Sequence, residues 1–159
     1  MAKKSNALTG IAGAYFVAAE LSQLGYIATV TSRNTEGIDL LASALDGSKT
    51  ISIQVKTSAA RHRKHFSRSW ILAKKHEKIF SPNLFYVFVD LQEGNQKPDF
   101  YVMPSKTVAD YVKTMHRKWL KGTTKTGKAR KDSDMRLYEI WDDSEAKKCL
   151  NNWGRLGLD

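Results

Sequence analysis

The chain has 159 residues, enough for one domain of ordinary size and too few for two. Apolar residues make up 42% and aromatics 10%, which excludes a disordered tail, and no apolar run reaches the length of a helical membrane span. Lys and Arg total 26 against 16 Asp and Glu, and the resulting net charge of +10 favours a polyanionic partner, nucleic acid before membrane.

Lys3 and Lys4 lie near the start, but Gly10, Gly13, Tyr15 and Glu20 interrupt the residues behind them, so no signal-type apolar stretch is expected. One cysteine, Cys149, excludes an internal disulfide and a cysteine zinc cluster, and the expectation is a reduced, cytoplasmic protein. The charge is uneven. Residues 57–131 hold 17 basic and 5 acidic side chains, while the segments on either side are close to balanced. A face that tracks phosphates needs its charge concentrated in this way. Its candidates are Arg61, Arg63, Lys64, Lys74, Lys75, Arg117, Lys118, Lys125, Lys128, Arg130 and Lys131.

Residues 8–24 predict a helix with the stripe Ala14, Val17, Leu21 and Leu24, closed by Gly25. Tyr26 to Arg33 is rich in β-branched residues and predicts a strand. Ile38 to Leu45 and Lys49 to Thr57 predict two more strands, joined at Asp46-Gly47, a hairpin turn pair. Trp70 to Phe80 predicts a helix, and Leu84 to Leu91 (LFYVFVDL) predicts a strand buried on both faces. Phe100 to Met103 predicts a short strand. Ser105 then caps a helix with the stripe Val108, Val112, Met115 and Trp119. Gly122 to Lys131 has no apolar period and predicts a mobile basic loop. A strand at Leu137–Trp141 and a helix at Ser144–Trp153 complete the chain. The expected fold is a single α/β domain over 1–159, a mixed sheet flanked by helices. Its core spans about 10–90, with a basic helix and loop at 105–131 and a C-terminal strand and helix at 135–153.

The hairpin carries the chemistry. A two-residue turn at Asp46-Gly47 sets Asp39 opposite Gln54, and Lys56 falls two residues on, on the same face. That face would hold Asp39, Leu41, Ser43, Thr50, Ser52, Gln54 and Lys56. The other would hold Ile38, Leu40, Ala42, Ile51, Ile53 and Val55, as core. A carboxylate and an amide oxygen suit Mg²⁺, a hard cation that keeps several waters, and a nearby Lys can serve the attacking water of phosphodiester hydrolysis. An edge hairpin with a polar solvent side and an incidental Asp–Lys pair is the plainer alternative.

Gly37-Ile38-Asp39, a β-hairpin and Gln54-Val55-Lys56 together resemble the PD-(D/E)xK nuclease superfamily, with its restriction-endonuclease-like fold. The Gln-x-Lys form is similar to Mrr-type restriction nucleases. The resemblance covers roughly residues 10–90. It implies a DNA endonuclease dependent on Mg²⁺ (or Mn²⁺), often working as a homodimer. Asp39 would be the metal-binding acid, Gln54 the substituted second ligand and Lys56 the catalytic lysine, with the Val55 carbonyl as an extra ligand. The Holliday-junction-resolvase-like branch often places a Glu in the first helix, where this chain has Gly13-Ala14. Glu20 is the catalytic candidate in that helix, although it lies about 120° round from that position, and Glu36 is a looser one.

Other features point elsewhere. His62 and His65 sit among Arg61, Arg63 and Lys64 and read as basic surface, and all four tryptophans read as core. There is no phosphate-binding GxxxxGK[ST] loop and no GxGxxG. Two further readings stay open: an inactive nuclease-fold module that binds nucleic acid, and a partner of an acidic protein.

Overall fold

A computed structural model describes residues 5–32, 37–59, 68–92, 96–141 and 144–159. Arg61, Arg63 and Lys64, with His62, His65 and Glu36, lie outside these residues.

Helix α1 (Asn6–Gln23) starts at Ser5, whose hydroxyl accepts from the Leu8 N–H. It ends in a Schellman motif. Gly25, at φ 89°, donates to Ser22, and the Tyr26 N–H reaches back to Leu21. Ala14, Val17 and Leu21 are buried as the stripe requires, whereas Leu24 is the cap residue and half exposed.

Strands β1 (Ile27–Val30), β2 (Leu40–Ser43) and β3 (Thr50–Ser58) form an antiparallel meander. Leu40 pairs with Ile53 and Ser43 with Thr50, the register that the Asp46-Gly47 turn predicts. Gly47 takes φ 72°, and Asp46 accepts the Ser48 N–H.

β4 (Arg68–Ala73) and a 3-10 turn (Lys74–Glu77) stand where the sequence predicts a helix over Trp70–Phe80. The local pattern has period two: Trp70 and Leu72 are buried and Ile71 is 68% exposed. Its partner, however, is β7 (Met135–Ile140), with Ile71 opposite Leu137. β5 (Leu84–Asp90) is buried throughout and runs parallel to β3, and β6 (Asp99–Pro104) closes that sheet. The result is a five-stranded mixed sheet in the order β1-β2-β3-β5-β6, with a separate two-stranded β4–β7 sheet.

Helix α2 (Ser105–Leu120) has Pro104 at its cap position, so Ser105 is not the cap. The Ser105 hydroxyl is buried instead, accepting from the Ser81 N–H and donating to the Ser81 carbonyl. Helix α3 (Ser144–Cys149) is shorter than predicted, and a second 3-10 turn comes after it at Trp153–Leu156. Cys149, Trp70 and Trp153 are core residues, but Trp119 and Trp141 are 44% and 53% exposed. The 122–131 segment is a built turn. Thr123 bridges Ala129, and the Thr124 N–H donates to the Lys128 carbonyl at 2.8 Å.

Two apolar clusters lie on opposite faces of the five-stranded sheet. Ala14, Val17 and Leu21 of α1 meet Ile51, Ile53, Val55, Val87 and Val89 on one face. On the other, Tyr86, Phe88 and Tyr101 meet Trp70, Tyr138 and α2, with Phe88 stacked on Tyr138 at 4.2 Å.

Gly13 brings the α1 backbone against Thr57 of β3. A Cβ there would lie 1.9 Å from Thr57 Oγ1 and 2.9 Å from Thr57 Cβ and Cγ2. Gly13→Ala should therefore cost about 1–3 kcal/mol in thermal unfolding. Thr57→Ala, which removes Oγ1 and Cγ2, should restore part of it. An unchanged melting curve for Gly13→Ala would count against this packing.

Candidate active site

Asp39 precedes β2 and is held from both sides. Its N–H donates to the Ile53 carbonyl at 2.9 Å, and its carbonyl accepts the Thr31 N–H at 3.0 Å. Its carboxylate reaches across the hairpin, where Oδ2 accepts the Val55 N–H at 2.7 Å.

Gln54 and Lys56 alternate with Ile53 and Val55, so they leave the α1 face and join the layer of Tyr86 and Phe88. In the parallel register Gln54 pairs with Tyr86 and Lys56 with Phe88. Gln54 is only 6% exposed, and its Oε1 has no hydrogen-bond partner among the described residues. A buried amide oxygen left in this way costs about 1–3 kcal/mol, and a cation or a donor brought to the site would satisfy it. Burial pushes the half-buried Lys56 ammonium below its usual pKa. The Asp39 carboxylate opposes this shift, and the Lys75 charge adds to it.

The 3-10 turn after β4 supplies Lys75, a candidate for phosphate contact in the sequence, and His76, which the sequence did not single out. Lys75 faces Lys56 and His76 electrostatically. His76 is buried, and its Nδ1 lies 2.7 Å from the Tyr86 hydroxyl. Burial, and then the Lys56 and Lys75 charges, push the His76 pKa down to about 4, and burial raises that of Tyr86. The unfolded chain thus takes up a proton near pH 6.5 that the fold refuses until about 4. Stability should fall as pH drops through that window. An NMR titration should find the His76 ring neutral down to about pH 4. A midpoint near 6.5 would contradict the burial of this ring.

The remaining candidates lie elsewhere. Glu20 stays on the α1 side, where its carboxylate pairs with Lys97 at 2.9 Å, and is not brought to Asp39, Gln54 and Lys56. Lys74 pairs with Asp132 at 2.7 Å. Arg117, Lys118, Lys125, Lys128 and Lys131 are exposed, whereas Arg130 lies 4.9 Å over the Trp119 ring and donates to the Trp119 and Thr123 carbonyls. Among the described residues no three His, Cys, Asp or Glu side chains gather to hold a metal. One carboxylate and one amide oxygen are what this centre offers to a hard cation.

No protein-family model and no curated protein matches the chain. Among solved structures it is similar to a bacterial homing endonuclease, I-Ssp6803I, with a TM-score of 0.59 and 12% identity. The match covers 98% of this chain and 94% of that one. The fold is therefore a nuclease-type mixed α/β fold.

Proposed function

We propose that the chain is a metal-dependent endonuclease that hydrolyses DNA phosphodiester bonds at Asp39, Gln54 and Lys56. The observation that carries this reading is the buried Gln54 oxygen, without a partner among the described residues, on the strand that presents Lys56, across the hairpin from the Asp39 carboxylate. Oxygen donors of this kind fit Mg²⁺ or Mn²⁺, and Asp39 and Gln54 would hold the ion, with the Val55 backbone beside them. Such an ion polarises the phosphodiester and acidifies water. Lys56 lies next to this pair with its pKa lowered, so it can take a proton from the attacking water or balance phosphate charge. Lys75 adds a second cation on that side, and the exposed residues of α2 and the 122–131 turn supply a surface for phosphates. We give Glu20 no place at this centre, because Lys97 holds it on the other side of the sheet. Cutting both strands of a duplex needs two such centres, which a homodimer would supply.

The second reading is an inactive module that binds DNA. Ala14, at the first-helix position where related nucleases often carry Glu, is 8% exposed among core residues. Nicking of supercoiled plasmid with Mg²⁺ or Mn²⁺ decides between the two. Cutting that is abolished by EDTA and by Asp39→Ala supports the nuclease. Salt-dependent binding without cutting supports the module.

A further inference from the structure

A hollow of about 420 Å³ opens between the last turns of α2 and the outer face of β7. Its walls are apolar, from Met115, Trp119, Met135 and Leu137, and its rim carries Lys118 and Arg130 against the single carboxylate of Glu139. Trp119 is 44% exposed, Leu137 39% and Met135 57%, so a large apolar surface meets solvent on a protein of net charge +10. The indole is held in place. His116 stacks on it at 5.4 Å and 23°, and the Arg130 guanidinium lies over the ring, fixed by two backbone carbonyls. His116 is tied in turn to Asp132, which also takes Lys74, the neighbour of Lys75. The hollow is thus linked through one short turn to the side of Lys56.

A ligand that suits these walls is largely apolar, and the rim's surplus of positive charge favours negative charge at its edge. We infer that the hollow takes a nucleobase lifted out of the bound strand, lodged against the exposed part of Trp119, with its phosphates against Lys118 and Arg130. An apolar hollow with an aromatic wall holds a base whatever its sequence, and two methionines let the walls adapt to different bases. The inference rests on DNA being the partner, but not on the chain cutting it.

Fluorescence anisotropy with two short single-stranded oligonucleotides tests it, one of thymidines and one abasic with the same number of phosphates. The thymidine strand should bind roughly tenfold tighter, and Trp119→Ala should erase that preference. Met135→Asp, at an exposed position, should erase it too, which keeps the test sound if Trp119→Ala folds poorly. Lys118→Ala should weaken both strands alike. Equal affinity for the two strands, or a preference that survives both variants, would overturn the inference. So would displacement of the thymidine strand by an acidic aromatic peptide at lower concentration than by free thymidine strand. Plasmid nicking by the same preparations separates the two proposals. Nicking without base preference sinks the hollow alone, and base preference without nicking sinks the nuclease alone.

Discussion

On the proposed nuclease reading, replacing Lys56 with alanine should leave a protein that folds and binds DNA but cuts it far more slowly. A positioned proton-transfer group contributes about 10²–10⁴-fold to a hydrolytic rate, so single-turnover cleavage should fall by roughly that factor. The stability effect should run the other way. Burial lowers the Lys56 pKa, so the unfolded chain holds this proton more tightly than the fold does. At neutral pH the ammonium therefore works against folding, and its loss should raise the melting temperature. Lys56→Arg separates two roles for the side chain. Arginine keeps the charge and does not give up a proton, so it should restore cleavage only if Lys56 acts as a counter-charge. If Lys56 takes a proton, the wild-type rate should climb with pH toward the lowered pKa and the arginine variant should stay inactive. Full activity in Lys56→Ala would remove this residue from the centre.

The part of this centre that lies in the hairpin could be read from the sequence because its geometry is local. Asp46-Gly47 sets the register, the register sets the faces, and Leu40, Ala42, Ile51, Ile53 and Val55 are buried as the alternation requires. Gln54 shares the polar face but is as buried as its core neighbours, because the second layer covers that end of the strand. The covering residues come from far away in sequence. β4 finds its partner about 70 residues on, and only that pairing tells a half-buried strand from the amphipathic helix that Trp70–Phe80 suggests. Lys75 stands out in the sequence only as part of a basic pair, and its approach to Lys56, like that of His76, comes from the same long-range pairing that no spacing announces. Ser105 shows the reverse failure. Its type suits a cap, but Pro104 takes that position and the hydroxyl turns to Ser81 instead.

Arg136 is where that distant layer is fastened, and Arg136→Ala should be among the most destabilising single changes in the chain. The side chain is 2% exposed on β7 and spreads its donors over three residues of its own segment and one of the 3-10 turn. Nη1 donates to the Ser133 carbonyl at 2.7 Å and the Met135 carbonyl at 3.0 Å, Nη2 reaches Asp132 at 3.5 Å, and Nε pairs with Glu77. Truncation leaves the mostly buried Glu77 carboxylate without its counter-ion, a loss of about 3–5 kcal/mol in comparable pairs. Against a typical total of about 5–15 kcal/mol, that should move a urea midpoint substantially. Arg136→Ala combined with Glu77→Ala should lose clearly less than the two single changes added together, because the second truncation removes the stranded charge. Strict additivity would mean that the pair is not coupled. Since Glu77 adjoins His76 in the 3-10 turn, loosening the fastening should also let water reach that ring. The His76 midpoint should then rise from about 4 toward 6.5 in Arg136→Ala, while the chain remains folded.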